Sequence, residues 1–248
     1  YKYSFMNNLV SVVISSYNRF DLLLNAIESV KTQTYKNIEI IVVDDGSTDK
    51  RYKNNDLENV IFLHLDEFNS RNKLGYPSCG YVRNYGFKVS KGKYIAILDD
   101  DDYWLENKIE EQVKILDENK YMMCCSESYI SHENINKDTK NKNLQLYNRE
   151  YWWDALKKKL ELKDDFSNII DKKLIETHNC VICSSVLFKK DLFNLIGFMA
   201  PVRNWKGNNG VYQDWDYWKK TINFSNIYYI KDPLMIYYHT RNKDYSKS

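Results

Sequence analysis

Four consecutive aspartates, Asp99 to Asp102, directly follow the apolar run Tyr94-Ile95-Ala96-Ile97-Leu98. Adjacent carboxylates repel one another and resist ionising together, so the cluster needs water or a cation to compensate it. The run before them is short, rich in strand-forming residues and free of polar alternation, which predicts a strand buried on both faces. The C-terminal ends of such strands are where α/β proteins build ligand crevices, and there a divalent cation is the expected compensation. The same residues can be read as a solvated acidic turn capping a helix that begins near Trp104, because Asp is a favoured N-cap residue.

The elements that must position this cluster are visible as patterns. Val10 to Ile14 is a buried-strand run ending at Ser15-Ser16-Tyr17-Asn18. A helix follows, with Asp21 expected as its cap and Leu23, Ile27 and Val30 on one face. Ile38 to Val43 predicts a second strand running into Asp44-Asp45-Gly46-Ser47-Thr48-Asp49, and Val60 to Leu63 a third. Gly80 to Val89 has helical spacing in Val82, Tyr85 and Val89 and leads through Gly92 into the strand before the aspartates. Strands alternating with helices predict an α/β fold, a parallel sheet with helices on both faces. After about Ile130 the regularity fails. Ser131 to Asn148 reads as a polar loop, Tyr151 to Leu162 as a helix, and Ile182 to Phe188 as a strand before a short helix ending near Gly197. The Gly- and Asn-rich stretch Asn204 to Gly210 then precedes Gln213-Asp214-Trp215-Asp216-Tyr217-Trp218. Neither a repeat nor a linker divides the chain, so one domain is expected over residues 1–248.

Composition excludes several classes. Lys and Arg number 36 against 34 Asp and Glu, a formal charge of +2 that gives no argument for nucleic acid. Lys157-Lys158-Lys159 reads as solvated helix surface, and no apolar run has the length to cross a bilayer. The chain opens with Tyr1 rather than Met, which fits a domain cut from a longer protein. Five cysteines show no paired zinc spacing; Cys180 and Cys183 have C-x-x-C spacing without a helix start or an intervening Pro or Gly, so core packing is expected. A reducing, cytoplasmic compartment follows.

In a doubly wound sheet the three polar strand ends, Ser15 to Asn18, Asp44 to Asp49 and Asp99 to Asp102, line one crevice. Neither a G-x-G-x-x-G after the first strand nor a Walker lysine is present. Carboxylates and hydroxyls in their place can hydrogen-bond a base and ribose, and would hold a diphosphate through bridging Mg²⁺ or Mn²⁺.

Val12 to Arg19, Ser29 to Tyr35, Glu39 to Asp49 and Arg83 to Asp102 together resemble the nucleotide-binding half of a family-two glycosyltransferase with the GT-A fold. The resemblance extends to Gln213 to Trp218 and, more weakly, to Pro233 to His239, and leaves out about Ser131 to Glu176. It implies a Rossmann-like nucleotide-sugar-binding half with a mostly parallel sheet, about residues 1–125, joined to a smaller acceptor-binding half, about 126–248. It also implies roles. Ser15 and Tyr17 match positions lining the base pocket, Asp45 the aspartate that accepts from uracil, and Arg83 a residue at the base and diphosphate. Asp99, Asp100 and Asp101 are similar to the D-x-D motif, with Asp101 the metal ligand, Asp99 reaching ribose or a metal-bound water, and Asp100 the least constrained. Asp102 matches a fourth acidic position that could also cap the next helix, and His239 lies where relatives place a residue near the metal or diphosphate.

Inverting glycosyl transfer needs a base for the acceptor hydroxyl, and Asp214 matches it. The family usually has Glu-Asp there; this chain has Gln213-Asp214, which alters the neighbour that tends to bind acceptor. Asp216 is the rival base, better read as a cap or surface residue. Trp152, Trp153, Trp205, Trp215 and Trp218 fall in segments expected on the acceptor side, with Trp205 in the loop expected to order over donor. The resemblance therefore implies a metal-dependent inverting enzyme that uses a UDP-sugar with Mn²⁺ or Mg²⁺ and a glycan, glycoconjugate or protein acceptor. The alternatives are a sugar nucleotidyltransferase, which usually needs a Gly- and Arg/Lys-rich loop after the first strand, and a non-catalytic nucleotide-sugar-binding module.

Overall fold

The computed structural model describes residues 8–139, 144–147, 152–162, 167–201 and 212–239. Four strands build the N-terminal half: β1 (Val10–Ser16), β2 (Ile38–Asp44), β3 (Val60–His64) and β4 (Tyr94–Asp99). They lie side by side in the order β3-β2-β1-β4, all parallel. The chain steps outward from β1 to β3 and then returns to the other side of β1, so the winding reverses between β1 and β4. The crevice of such a sheet opens beyond the carboxyl ends of the strands at that reversal. Register fixes who meets there: Ser15 stands opposite Asp99, and Ser16 opposite Asp44.

The middles of β1, β2 and β4 are uninterrupted apolar runs because both faces are covered there. Val13, Ile41, Val43, Ile95 and Ile97 enter one core, while Val12, Ile14, Ile40, Val42, Ala96 and Leu98 enter the other. The second core is closed by α1 (Phe20–Lys31), through Leu23, Ile27 and Val30, and by α4 (Lys108–Glu118), through Ile109, Val113 and Leu116. Between β3 and β4 come the short α2 (Ser70–Leu74) and α3 (Cys79–Val89), the latter packed on the first core through Val82 and Phe87. Gly86 lets α3 lie close to the sheet: a Cβ there would stand 2.3 Å from Val13 Cγ1.

The second half extends the same sheet with β5 (Tyr103–Trp104), β6 (Met123–Ser131), β7 (Gln145–Leu146), β8 (Ile169–Ile170), β9 (Leu187–Lys189) and β10 (Ile227–Tyr238). The order continues β4-β9-β6-β10-β5, with β9 antiparallel to both of its neighbours and β10 parallel to β6. Four helices, α5 (Trp153–Leu160), α6 (Lys172–Thr177), α7 (Lys190–Ile196) and α8 (Gln213–Thr221), add Leu156, Ile175, Leu192, Tyr217 and Trp218 to the first core. Cys124 and Cys125 alternate along β6 into opposite cores, and Cys180 and Cys183 are buried free thiols, as core packing requires. Among the described residues no helix is long and apolar enough to cross a membrane.

Three local expectations are corrected. The helix after the aspartates begins at Lys108 rather than near Trp104, because Tyr103 and Trp104 pair with Ile236 and Met235 of β10. Helix α1 begins at Phe20, leaving Asp21 in its first turn bound to Arg51 at 2.7 Å instead of capping. Of Ile182 to Phe188 only the last two residues join a strand; Cys183–Ser185 form a tight helical turn. The carbonyls of Ser184 and Ser185 there accept from Trp104 Nε1 at 2.8 Å and Gln112 Nε2 at 2.7 Å. Those bonds hold the backbone away from strand pairing.

Replacing Gly86 by alanine forces a methyl onto Val13, and overpacking of this kind costs about 1–3 kcal/mol. Urea unfolding of Gly86→Ala should show a lower midpoint with an unchanged slope.

Candidate active site

Each of the four aspartates meets a different part of the chain. Asp99 ends β4, and its Oδ1 accepts from Nη2 of the buried Arg83, on α3. Asp100 points into the protein: Ser16 Oγ donates to its Oδ2 at 2.7 Å, and Arg19 Nη1 lies 3.3 Å from its Oδ1. The Ser16 hydroxyl also lies 2.5 Å from the Tyr52 hydroxyl. The same Arg19 nitrogen is 3.0 Å from Asp101 Oδ2. Asp102 Oδ1 accepts the backbone N–H of Tyr238, on β10, at 2.9 Å, while its own N–H closes the turn on the Asp99 carbonyl. Two expectations change. Asp102 does not cap α4, whose N-cap position is Asn107, and Asp100 is among the most internally bonded of the four. Burial pushes the Asp100 carboxyl up to about 7, reinforced by Asp101 and opposed by Arg19 and Ser16. Burial, then Asp101 and Asp99, raise Asp102 well above the usual carboxylate range.

The other wall of the crevice comes from the ends of β1 and β2. Ser15 is buried beside Asp99. Asn18 takes a left-handed conformation, φ 50°, and its side-chain oxygen accepts from Thr48 N at 2.9 Å and Asp49 N at 3.2 Å. That bond ties the two loops together. Asp45 accepts from Ser70 N at 2.6 Å, Ser70 Oγ at 2.5 Å and Arg71 Nη1 at 3.1 Å. Burial raises its carboxyl, with the Ser70 bonds and Arg71 opposing. The Arg71 guanidinium also lies 3.7 Å over the Tyr17 ring, a cation–π contact that joins Tyr17 to Asp45. The fully buried Asp44 is structural: it accepts from Ser47 N at 2.8 Å and holds His64 Nδ1 at 3.0 Å.

Across from β4, Asp214 is half-buried in the first turn of α8, where a helix N-terminus favours negative charge. Its Oδ1 accepts from Trp215 N at 2.8 Å and its Oδ2 from Asn179 Nδ2 at 3.3 Å. Burial raises its carboxyl; the Trp215 N–H, Arg83 and Asn179 oppose, and Asp99 adds to the rise. Gln213 turns away to the start of α3: its Oε1 accepts from Gly80 N, and its Nε2 donates to Ser78 Oγ at 3.2 Å. A Cβ on Gly80 would stand 2.6 Å from that Oε1. Asp216 pairs with Lys220 at 2.7 Å, as a surface role predicts.

His239 immediately follows the Tyr238 that binds Asp102. Its N–H donates to the Ser131 carbonyl at 2.8 Å, and its carbonyl accepts from His132 Nδ1 at 2.7 Å. Among the described residues no group of three or more His, Cys, Asp or Glu side chains gathers as a metal cage. Trp153 and Trp218 fill the core rather than face an acceptor, whereas Trp152 is exposed with its ring 4.8 Å from that of His178. Trp205 lies outside the described residues.

Sequence reasoning assigned no role to Arg19, Arg71, Ser70 or Asn179. Arg19 carried one signal, its place directly after the first strand end; Asn179 carried none. Because Ser16 supplies a hydrogen bond to a buried carboxylate, Ser16→Ala removes one partner from Asp100 and one from Tyr52, leaving each with its bond to Arg19. A loss of about 1–3 kcal/mol is expected, readable as a lower urea midpoint.

Residues 11–195 match glycosyl transferase family 2. In Escherichia coli, the UDP-Glc:alpha-D-GlcNAc-diphosphoundecaprenol beta-1,3-glucosyltransferase WfaP is 36% identical over 126 residues, 50% of this chain and 48% of WfaP. The chain spans between 18% and 65% of the length of the curated relatives it matches. Among solved structures, S. aureus TarS in complex with UDP-GlcNAc aligns over 97% of this chain and 61% of its own, with TM-score 0.65 and 17% identity. The mannosyltransferase PcManGT from Pyrobaculum calidifontis, in complex with GDP-Man and Mn²⁺, aligns over 97% of this chain and 60% of its own, with TM-score 0.64 and 15% identity. The sheet with its switch-point crevice, the GT-A architecture of these neighbours and the match over most of the sequence lead to one conclusion: the chain belongs to glycosyl transferase family 2 and has the GT-A fold.

Proposed function

We propose that this enzyme transfers a sugar, with inversion and with the help of a divalent cation, from a UDP-sugar to a hydroxyl of a glycan or glycoconjugate, and that Asp214 is the general base. The observation that carries the reading is the placement of Asp214: half-buried in the first turn of α8, next to the Gln213 that is bound to the start of α3, the helix whose Arg83 holds Asp99 at the end of β4. Ser15, Tyr17 and Asp45 would take the base, and Arg83, Asp99 and Asp100 would form the ribose and diphosphate side. UDP is favoured because the WfaP name specifies a UDP-sugar and TarS binds one; GDP is the natural comparison, given PcManGT. The diphosphoundecaprenol-linked acceptor in the WfaP name supports a glycoconjugate acceptor. The five free thiols support a reducing, cytoplasmic setting.

The donor set fits a hard divalent ion. Mg²⁺ and Mn²⁺ need only one or two carboxylates when substrate phosphates and water fill the remaining positions. A cationic group, the Arg19 guanidinium, already rests 3.0 Å from Asp101, so this position accommodates positive charge. Asp101 and Asp99 would hold the ion, with His239 the third candidate; bound there, it would offset charge on the departing diphosphate.

The remaining chemistry belongs to the chain. The acceptor oxygen attacks the anomeric carbon, the bond from that carbon to the diphosphate oxygen breaks, and the electron pair leaves with the nucleoside diphosphate. Asp214 receives the hydroxyl proton. Burial raises its proton affinity, which suits a base, and the Trp215 N–H and Asn179 limit the rise.

Asp214→Asn should lower kcat by about 10²–10⁴-fold while calorimetry shows donor affinity unchanged; near-normal turnover would place the base elsewhere. The base works ionised, so kcat/KM falls as pH drops through its pKa. Asn179→Leu removes a bond that favours the carboxylate, so the acid limb of the profile should move to higher pH, and an unmoved limb would remove Asn179 from that role.

A further inference from the structure

Arg19 has no part in the roles above, yet its placement is specific. It stands at the N-cap of α1, where its backbone N–H donates to the Tyr52 hydroxyl at 3.0 Å. One of its nitrogens, Nη1, is shared between Asp100 at 3.3 Å and Asp101 at 3.0 Å. Those carboxylates are 6% and 7% exposed, whereas the Arg19 side chain is 34% exposed. The guanidinium therefore reaches from the open crevice down onto the buried acids. It brings one positive charge to the oxygen set that a metal ion would use, and two cations at one carboxylate repel each other.

A guanidinium carries five N–H donors, and the bonds to Asp100 and Asp101 among the described residues use Nη1. Its fork geometry matches phosphate oxygens in bidentate fashion, and such charge-assisted bonds are stronger than those to neutral partners. We propose that Arg19 is a resident counter-cation that exchanges places: when a nucleoside diphosphate enters, Arg19 swings from Asp101 to the phosphate oxygens, and the released carboxylate takes the divalent ion. This rests on the reading of Asp101 as metal ligand. Its consequence is that ion and nucleotide bind with positive coupling, each tightening the other by the same factor. The ion alone binds poorly because it must displace a charge already in place.

The test is Mn²⁺ titration, followed by the electron paramagnetic resonance signal of free Mn²⁺ and by calorimetry, with and without UDP or GDP. The wild-type protein should bind Mn²⁺ weakly alone and about 10–100-fold more tightly with the nucleotide. Arg19→Gln should bind Mn²⁺ alone about tenfold more tightly than wild type, with the nucleotide-driven enhancement reduced to match. No tightening in Arg19→Gln, or a full wild-type enhancement in it, overturns the exchange. Asp101→Asn separates the two readings. If it abolishes Mn²⁺ binding while Arg19→Gln changes nothing, only the exchange fails; if it binds Mn²⁺ normally, the metal reading fails and the exchange with it. Should Arg19→Gln not fold, thermal unfolding of the wild type decides. Mn²⁺ alone should leave Tm nearly unmoved and Mn²⁺ with nucleotide should raise it, whereas a full rise from Mn²⁺ alone overturns the proposal.

Discussion

Four carboxylates in succession can end a buried strand only if each finds compensation from elsewhere, because water reaches them poorly and their charges add. The fold is arranged around that need. Arg83 comes from α3, Ser16 and Arg19 from the end of β1, and the Tyr238 N–H from the last strand. Segments from the beginning, middle and end of the described chain are thus fastened at a single turn. Compensation is partial by design of the geometry: Asp99 keeps a side chain 30% exposed to the crevice, while Asp100, Asp101 and Asp102 are buried.

The two sides of the crevice use different physics. On the β1–β2 side, Asp45 is held by a hydroxyl, a backbone N–H and a guanidinium that also covers Tyr17, so these side chains are fixed in orientation. On the α8 side, Asp214 has two hydrogen bonds among the described residues and sits half-buried, where burial raises its carboxyl. Orientation suits binding, whereas a raised proton affinity suits proton transfer. The sheet makes this division possible, since the parallel half ends in loops that face the helices of the mixed half.

The parallel strands were legible because burial on both faces leaves uninterrupted apolar runs, and their polar ends were legible by contrast. Asp45 and Asp99 to Asp102 stood out as charges at those ends, whereas Asp214, in the first turn of α8, was marked only by the family resemblance. Other features depend on tertiary partners that no local pattern encodes. Trp104 reads as helical until β10 claims it, and Cys183 to Ser185 read as strand until Trp104 and Gln112 take their carbonyls. Lys108 is fully buried, with its ammonium 4.1 Å from the Trp104 ring and donating to Gln112 at 2.6 Å, partners that lie outside any local pattern. Arg19 and Arg71 act at the far end of long side chains, where position in the sequence says least about reach. Gln213 looked like a weakened acceptor contact and is instead a clasp on α3.

That clasp ties two surfaces that could otherwise diverge independently. The amide of Gln213 docks on the first turn of α3 only because residue 80 has no side chain, and the next residue along is Asp214. A lineage that acquired a side chain at position 80 would push the amide aside and lose the clasp. Positions 80 and 213 are therefore expected to change as a pair or not at all. A glycine without chemistry of its own then limits how far the start of α8 can drift from α3.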